Sequence, residues 1–146
     1  SEAIATVIDR FESQTKIPVR LTVTGPEAAL TDREKIQVIF IMQEALANVR
    51  KHSKATEVVI NIDNGARFKL EVIDNGCGID EAMLLKRSKR HVGMNIMKER
   101  AGRIGAKVSV GAVPAGTFPS GTCVELIIDS EGAGEGAVLT LQGRPA

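Results

Sequence analysis

The sequence has little of what cross-links a chain or anchors it in a membrane. Its only cysteines, Cys77 and Cys123, have neither metal-ligand spacing nor a disulfide framework around them. No apolar run approaches the roughly 18 residues that span a bilayer. The residues after Ser1 lack an initiating Met and a signal-peptide pattern, so we expect a processed chain or an excised fragment. Together these absences predict a reducing, cytosolic setting.

The chain also has no large excess of positive or negative charge. The formal net charge is +1, which gives no electrostatic footprint for nucleic acid and predicts no membrane contact by this chain. Hydrophobic residues make up 43% and charged residues 25% of the 146 residues, as in an ordinary soluble globular protein. The length predicts one domain with a real core.

Hydrophobic periodicity switches between helical and strand spacing along the chain. It predicts helices over 3–13, about 32–52 and 93–104, and strands over 19–23, 56–63, 67–73, 107–111 and 122–128. This order predicts an α+β fold, a two-layer sandwich with helices on one face of a mixed sheet. We expect the domain to occupy 1–129, a Gly- and Ala-rich disordered tail to follow over 130–146, and 75–92 to form a mobile loop.

Local signals mark several of these boundaries. Thr31 or Asp32, with Glu34 close behind, is a helix N-cap signal. The Asp63-Asn64-Gly65 sequence predicts a hairpin between two strands. Gly105 is the expected helix-stop residue of the third helix.

A short acidic and glycine-rich motif, Asp74-Asn75-Gly76-Cys77-Gly78-Ile79, follows the third predicted strand. An acidic residue that leaves a strand before two closely spaced glycines can direct its carboxylate at a ligand while the backbone approaches closely. The alternative is a tight turn between two elements.

The second predicted helix carries polar residues that could do chemistry. Its apolar positions Ile39, Met42, Leu46 and Val49 are predicted to form one stripe that packs on the sheet. Glu44, Asn48 and His52 then fall on roughly the opposite side, with Lys51 at its edge. A carboxylate, an amide oxygen and a cation within two turns could hold Mg²⁺ and polyphosphate. A solvated polar face is the alternative.

Four motifs in order resemble those of the GHKL ATPases, the family of gyrase, Hsp90, histidine kinases and MutL. The segment Gln43-Glu44-Ala45-Leu46-Ala47-Asn48-Val49-Arg50-Lys51-His52 resembles their N box, and Asp74-Asn75-Gly76-Cys77-Gly78 resembles the first glycine box. The segment 91–101 resembles the second glycine box, and Ser120-Gly121-Thr122 the Gly-Thr element. The sequences of the N box and of Met97-Lys98-Glu99-Arg100-Ala101 are similar to those of nitrate/nitrite-responsive sensor kinases. These kinases act with LuxR-type response regulators.

The resemblance implies the Bergerat fold and a site for ATP with Mg²⁺. Asp74 would accept a hydrogen bond from the exocyclic amine of adenine, and Gly76 and Gly78 would let the backbone pass close to the base. Asn48 would coordinate Mg²⁺, and Lys51 would offset phosphate charge. Arg50 is a second candidate for that cationic role.

The remaining site residues also follow from the resemblance. Glu44 would orient or deprotonate the attacking group through water, and Gly93 and Met94 would begin a helix whose N–H groups face phosphate. Gly121 and Thr122 would close the pocket from the sheet. The basic loop 82–91 would be a lid, with a solvated surface loop as the alternative. The implied nucleotide site also includes His52, Ile79, His91 and Val92. His91 departs from the family pattern, which has glycine there.

No helix carries a phosphoacceptor histidine beside an acidic residue. The resemblance therefore implies the catalytic domain of a sensor histidine kinase, which would phosphorylate a histidine on a separate dimerisation domain. The catalytic domain would be cytoplasmic, and the full-length protein would be in the inner membrane. The alternatives are an anti-sigma-type serine kinase or other GHKL ATPase, and a non-catalytic nucleotide-binding regulatory module.

Overall fold

The fold is given by a computed structural model, which describes residues 2–26, 30–65, 67–77 and 89–128. The helices are α1 (Glu2–Thr15), α2 (Asp32–Asn48) and α3 (Lys89–Gly102), and a π-helical turn (Val49–Ser53) continues α2. The strands are β1 (Val19–Thr24), β2 (Val58–Asn64), β3 (Phe68–Asp74), β4 (Lys107–Gly111) and β5 (Thr122–Ile128). Within these ranges no helix has both the length and the apolar content of a membrane span.

The five strands form one mixed sheet in the order β1-β2-β3-β5-β4. The edge strand β1 runs parallel to β2, and the other neighbours are antiparallel. The predicted α+β class, the five strands and the hairpin at Asp63-Asn64-Gly65 are confirmed. Because β1 and β2 are parallel, the chain between them crosses over through α2. The helix of the N box is therefore the connection that joins these two strands.

The main core lies between the helices and one face of the sheet. The most deeply buried side chains come from α2, α3 and the central strands, and they include Ile41, Met42, Met97, Ile60, Leu70 and Leu126. A smaller cluster on the other face joins Val59, Ile73 and Cys123, covered by Val113 and Phe118. All three helices thus contribute to the core on one face, as predicted.

The N-terminus of α2 is fixed by a capping box. The Thr31 hydroxyl accepts a hydrogen bond from the Glu34 N–H at 3.1 Å, and the Glu34 carboxylate accepts one from the Thr31 N–H at 2.8 Å. Two N–H groups without intrahelical partners are satisfied in this way. Of the two candidate caps, Thr31 is the residue used.

The buried side of α2 differs from the predicted stripe. Met42, Leu46 and Val49 are buried as expected, but Ile39 is only half-buried, and Asn48 is 8% exposed rather than on the solvated side. Ile41 and Asn48 are seven residues apart, so their directions around the helix differ by only about 20°. Because α3 packs beside the sheet, the buried arc of α2 is wider than one stripe and takes in Asn48.

The start of α3 also differs from the prediction. The helix begins at Lys89 instead of Gly93, so the last part of the predicted loop 75–92 is helical. No glycine or proline interrupts 89–92, and Lys and Arg are good helix formers, so nothing local delays the helix. Its other end agrees with the sequence. Gly105 has φ +66, and the Ala106 N–H bonds the Ala101 carbonyl at 2.9 Å, as in a Schellman cap.

Candidate functional site

Asp74 is the last residue of β3 and is 3% exposed. Its Oδ1 accepts a hydrogen bond from the Gly76 N–H at 2.8 Å, which closes an Asx turn. This turn orients the carboxylate at the end of the strand. On the neighbouring strand, Asp74 faces Thr122 in the antiparallel register.

Thr122 presents an unsatisfied polar atom at this position. The residue is 4% exposed, and its Oγ1 is buried without a hydrogen-bond partner among the residues that the structure describes. A buried hydroxyl without a partner costs free energy, and natural structures rarely keep one without a reason. A polar ligand beside Asp74 would supply that partner.

Asn48 approaches these two residues from the end of α2. Together they line one narrow cavity of about 10 Å³, which is room for roughly one water molecule. The lining residues are Ala45, Asn48, Val49, Val72, Asp74, Met94, Met97, Val110, Thr122 and Val124. Three buried polar side chains from three separate elements therefore meet in an otherwise apolar pocket.

Gly93 brings α3 against the polar residues of α2. A Cβ placed on Gly93 would lie 2.7 Å from Glu44 Oε2 and 3.1 Å from Asn48 Oδ1. Only a glycine lets the two helices approach this closely without moving those groups. The predicted site residues Glu44, Asn48 and Gly93 are thus in one place, although Gly93 lies inside α3 and does not begin it.

Gly121 holds the start of β5 against the end of β3. Its φ is +137, and an added Cβ would lie 1.8 Å from the Asp74 carbonyl oxygen. No side chain fits there unless the backbone moves. The Gly121-Thr122 pair therefore places the backbone of Asp74 as well as one wall of the cavity.

Of the other predicted site residues, the structure brings only some close to the cavity. Lys51 is exposed in the π-helical turn, and Met94 lines the cavity. Arg50 lines a groove between α1 and α2, so the structure does not place it with the cavity residues. Gly78 and Ile79 lie outside the described residues, as does the predicted lid up to residue 88. The structure gives His52, His91 and Val92 as helical backbone only.

The prediction from sequence missed two residues of this region. Met97 lines the cavity and is fully buried. Asn75 accepts hydrogen bonds from the N–H groups of Thr56 and Glu57, at 2.8 and 3.0 Å, and so ties the glycine motif to the start of β2. The only signal for Asn75 was its place after Asp74 in a turn, where Asn is common for conformational reasons alone.

Next to Thr122, burial raises the pKa of the Cys123 thiol to about 12 from near 9, and the neighbouring Glu71 and Glu125 carboxylates add to this effect. Because the folded-state pKa is raised, the neutral thiol's contribution to stability is complete below about pH 9 and is lost as the pH rises towards 12.

At neutral pH we expect iodoacetamide to modify exposed Cys77 and to leave buried Cys123 unmodified until the protein is unfolded in urea. Peptide mass spectrometry distinguishes the two thiols, and equal labelling in the native protein would contradict this burial.

The donor set of the cavity restricts which metal could bind. Among the described residues, no group of three His, Cys, Asp or Glu side chains is placed to hold a metal ion. Mg²⁺ keeps several waters and takes one or two oxygens from protein, the rest from phosphate. The Asn48 amide is such an oxygen donor, so the site fits an ion that arrives with a phosphate ligand and does not fit an all-protein metal cage.

Comparison with known proteins shows the family of this chain. The sequence matches the protein family described as "Histidine kinase-, DNA gyrase B-, and HSP90-like ATPase" over residues 33–132. It is 32% identical to the nitrate/nitrite sensor protein NarX of Escherichia coli over 129 residues, covering 80% of this chain and 21% of NarX. It is 33% identical to the sensor histidine kinase LiaS of Bacillus subtilis over 114 residues, covering 77% of this chain and 30% of LiaS. The chain thus spans a fifth to a third of these relatives.

Solved structures share the fold. The mycobacterial sensor histidine kinase MprB superposes with a TM-score of 0.65 at 20% identity, over 87% of this chain and 91% of that one. Full-length ShkA, in complex with AMPPNP, gives a TM-score of 0.67 at 16% identity, over 88% of this chain and 29% of ShkA.

Proposed function

Because this chain belongs to the family of histidine kinase-, DNA gyrase B- and HSP90-like ATPases, we propose that it binds Mg·ATP in the cleft between α2, α3 and the β3–β5 edge. It then serves as the catalytic domain of a sensor histidine kinase. The observation that carries the proposal is the convergence of buried Asn48, Asp74 and Thr122 on one cavity. We assign the catalytic domain to residues 1–129; the predicted tail, 130–146, lies outside the described residues.

The adenine end of the site is formed by the strands. The Asp74 carboxylate accepts a hydrogen bond from the exocyclic amine of adenine, and the Thr122 hydroxyl, which lacks a partner among the described residues, bonds the ring or its water. Gly76 and Gly78 let the backbone approach the base. The cavity is small in this structure, so admitting the ring requires its walls, which include half-buried Met94 and Val110, to move outwards.

The phosphate end is formed by the helices. Asn48 holds Mg²⁺ through its amide oxygen, and the exposed Lys51 ammonium offsets phosphate charge. When bound, the metal neutralises part of the triphosphate charge. Glu44, packed against Gly93, orients the attacking group or accepts its proton through water. From the sequence resemblance we also assign His52, Ile79, His91 and Val92 to nucleotide binding, although Ile79 lies outside the described residues.

The reaction is the transfer of the ATP γ-phosphoryl group to a histidine on a separate dimerisation domain of the full-length kinase. A bond forms between the histidine nitrogen and phosphorus, the bond to the β-phosphate oxygen breaks, and ADP leaves. Such transfer depends mainly on positioning and charge neutralisation, which this cleft supplies. Because the acceptor histidine is on a separate domain, the catalytic domain alone should bind ATP but turn it over slowly.

The biological setting follows from the relatives. The similarity to NarX supports a role in nitrate/nitrite signalling, with a LuxR-type response regulator receiving the phosphoryl group. The similarity to the sensor histidine kinase LiaS, at 33% identity, supports the same class of kinase. We place the domain in the cytoplasm, as part of a protein of the inner membrane.

Changing Asn48 tests the metal end of the site. We expect Asn48→Ala to abolish the gain in ATP affinity that Mg²⁺ gives the unmodified domain, because the substitution removes the amide oxygen assigned to the ion. Calorimetric titration with ATP, with and without Mg²⁺, measures this gain. Exposed Gln43, on the same helix, provides the control variant Gln43→Ala. An undiminished Mg²⁺ effect in Asn48→Ala would refute the assignment.

Two experiments separate the alternative functions. A thermal-shift titration with Mg·ATP tests nucleotide binding, since ligand at 100 times its Kd adds about 2.7 kcal/mol to stability. A domain that shows no shift is not an ATP-binding module. Incubation with a phosphoacceptor helical domain then distinguishes a histidine kinase, which gives acid-labile phosphate, from an anti-sigma-type serine kinase, which gives acid-stable phosphate.

A further inference from the structure

The Asn75 side chain joins two segments that are far apart in sequence. Its Oδ1 accepts hydrogen bonds from the N–H groups of Thr56 and Glu57, and its Nδ2 donates one to Thr56 Oγ1 at 3.0 Å. The Asn75 N–H also donates to the Glu57 carbonyl at 3.3 Å. One residue therefore makes four hydrogen bonds to a single dipeptide. Conformational preference in a turn would not require any of them.

That dipeptide ends the segment that carries Lys51. The π-helical turn Val49–Ser53 follows Asn48, and Lys54 then adopts a left-handed conformation with φ 58. At its start the segment is fixed by buried Asn48 and Val49. At its end it is fixed by Asn75. The exposed turn with Lys51 lies between the two anchors, and π-helical turns of this kind often occur at functional sites.

We propose that Asn75 is a positioning residue that sets the distance between the base-binding and phosphate-binding parts of the site, and so favours a nucleoside triphosphate over a monophosphate. Asp74 is its neighbour in the chain, so the same short turn holds the adenine carboxylate and the end of the basic turn. The inference rests on the proposed function, because it assigns Asp74 to the base and Lys51 to the phosphates. Asn75 itself touches neither.

The test compares two ligands in one variant. Asn75→Ala should weaken ATP binding about tenfold, the value of roughly one charge-assisted contact, and change AMP binding by less than about twofold. Calorimetry on the whole domain gives both constants. Asn75→Asp keeps the acceptor for both N–H groups and should retain most of the ATP affinity. Asn61→Ala is the control, because that side chain bonds Glu71 elsewhere on the sheet.

A double-mutant cycle shows whether Lys51 carries the effect. If Asn75 acts by placing Lys51, adding Asn75→Ala to Lys51→Ala should cause little further loss of ATP affinity. Thr56→Val removes only the Nδ2 acceptor and provides a milder variant if Asn75→Ala folds poorly. It should give a smaller loss for ATP and again change AMP binding by less than about twofold.

Three outcomes would overturn the inference. Equal losses for ATP and AMP would mean that Asn75 only supports the turn around Asp74. Full additivity with Lys51→Ala would mean that the two residues act separately, and unchanged ATP affinity in both Asn75→Ala and Thr56→Val would mean that Asn75 has no part in binding. Failure of the unmodified domain to bind ATP is a different result, since it removes the proposed function itself.

Discussion

Asp74→Asn is expected to lower ATP affinity by about a hundredfold or more. Asp74 Oδ1 already accepts the Gly76 N–H at 2.8 Å, and an asparagine would keep that bond with its carbonyl oxygen. The amide NH₂ would then face the exocyclic amine of adenine, so two donors would meet in a buried pocket. A binding site loses several kcal/mol of binding free energy when one of its buried polar groups is left without a hydrogen-bond partner.

The same geometry predicts a change in base preference. Guanine presents a carbonyl oxygen where adenine has its amine, so the asparagine NH₂ could donate to it. We expect the ratio of ATP to GTP affinity to fall in Asp74→Asn, measured by competitive calorimetry. The control is Asp63→Asn, because Asp63 Oδ1 accepts the Gly65 N–H at 2.9 Å in an equivalent turn at the hairpin. An unchanged ATP affinity in Asp74→Asn would exclude Asp74 as the base-recognising residue.

Gly121→Ala is expected to cost about 4 kcal/mol or more of the free energy of unfolding, a large share of the roughly 5–15 kcal/mol that stabilises a typical domain. The added Cβ would overlap the Asp74 carbonyl oxygen at 1.8 Å, and the backbone φ of +137 is itself unfavourable for alanine. The start of β5 would have to move away from β3. Urea denaturation followed by circular dichroism measures the loss.

Two further glycines separate the clash from the backbone strain. Gly116 has φ +88 but nothing within 4 Å of an added Cβ, so Gly116→Ala should cost only about 1 kcal/mol, from strain. Gly111 has neither a positive φ nor a close neighbour, so Gly111→Ala should change stability by less than about 0.5 kcal/mol. If all three variants were equally stable, the close approach of Gly121 to Asp74 would be wrong.

The strands and turns could be predicted from the sequence because their signals are local. Alternating apolar residues, the Asp63-Asn64-Gly65 turn and the Gly105 helix stop each act within a few residues, and the structure agrees with all of them. The capping box at Thr31 and Glu34 is likewise a contact across one helical turn. Short-range chemistry of this kind depends little on the rest of the fold.

The burial of Asn48 could not be read from α2 alone, because it depends on a second helix. α3 packs on the side of α2 that carries Asn48, and Gly93 makes that approach possible. The two helices lie more than forty residues apart in the chain. Asn75 shows the same limit, since its partners at 56–57 become neighbours only when β2 and β3 pair. Residue types indicated the chemistry, and long-range pairing decided their surroundings.

The parallel pairing of β1 with β2 has a consequence for the order of folding. The hairpin of β2 and β3 needs only a short loop, whereas β1 meets β2 only after the 33 residues that separate Thr24 from Val58 have closed, with α2 docked between them. Contacts so distant in sequence form late in folding and raise the contact order. The edge strand β1 and the crossover helix α2 are therefore expected to take their places in the same late step of folding.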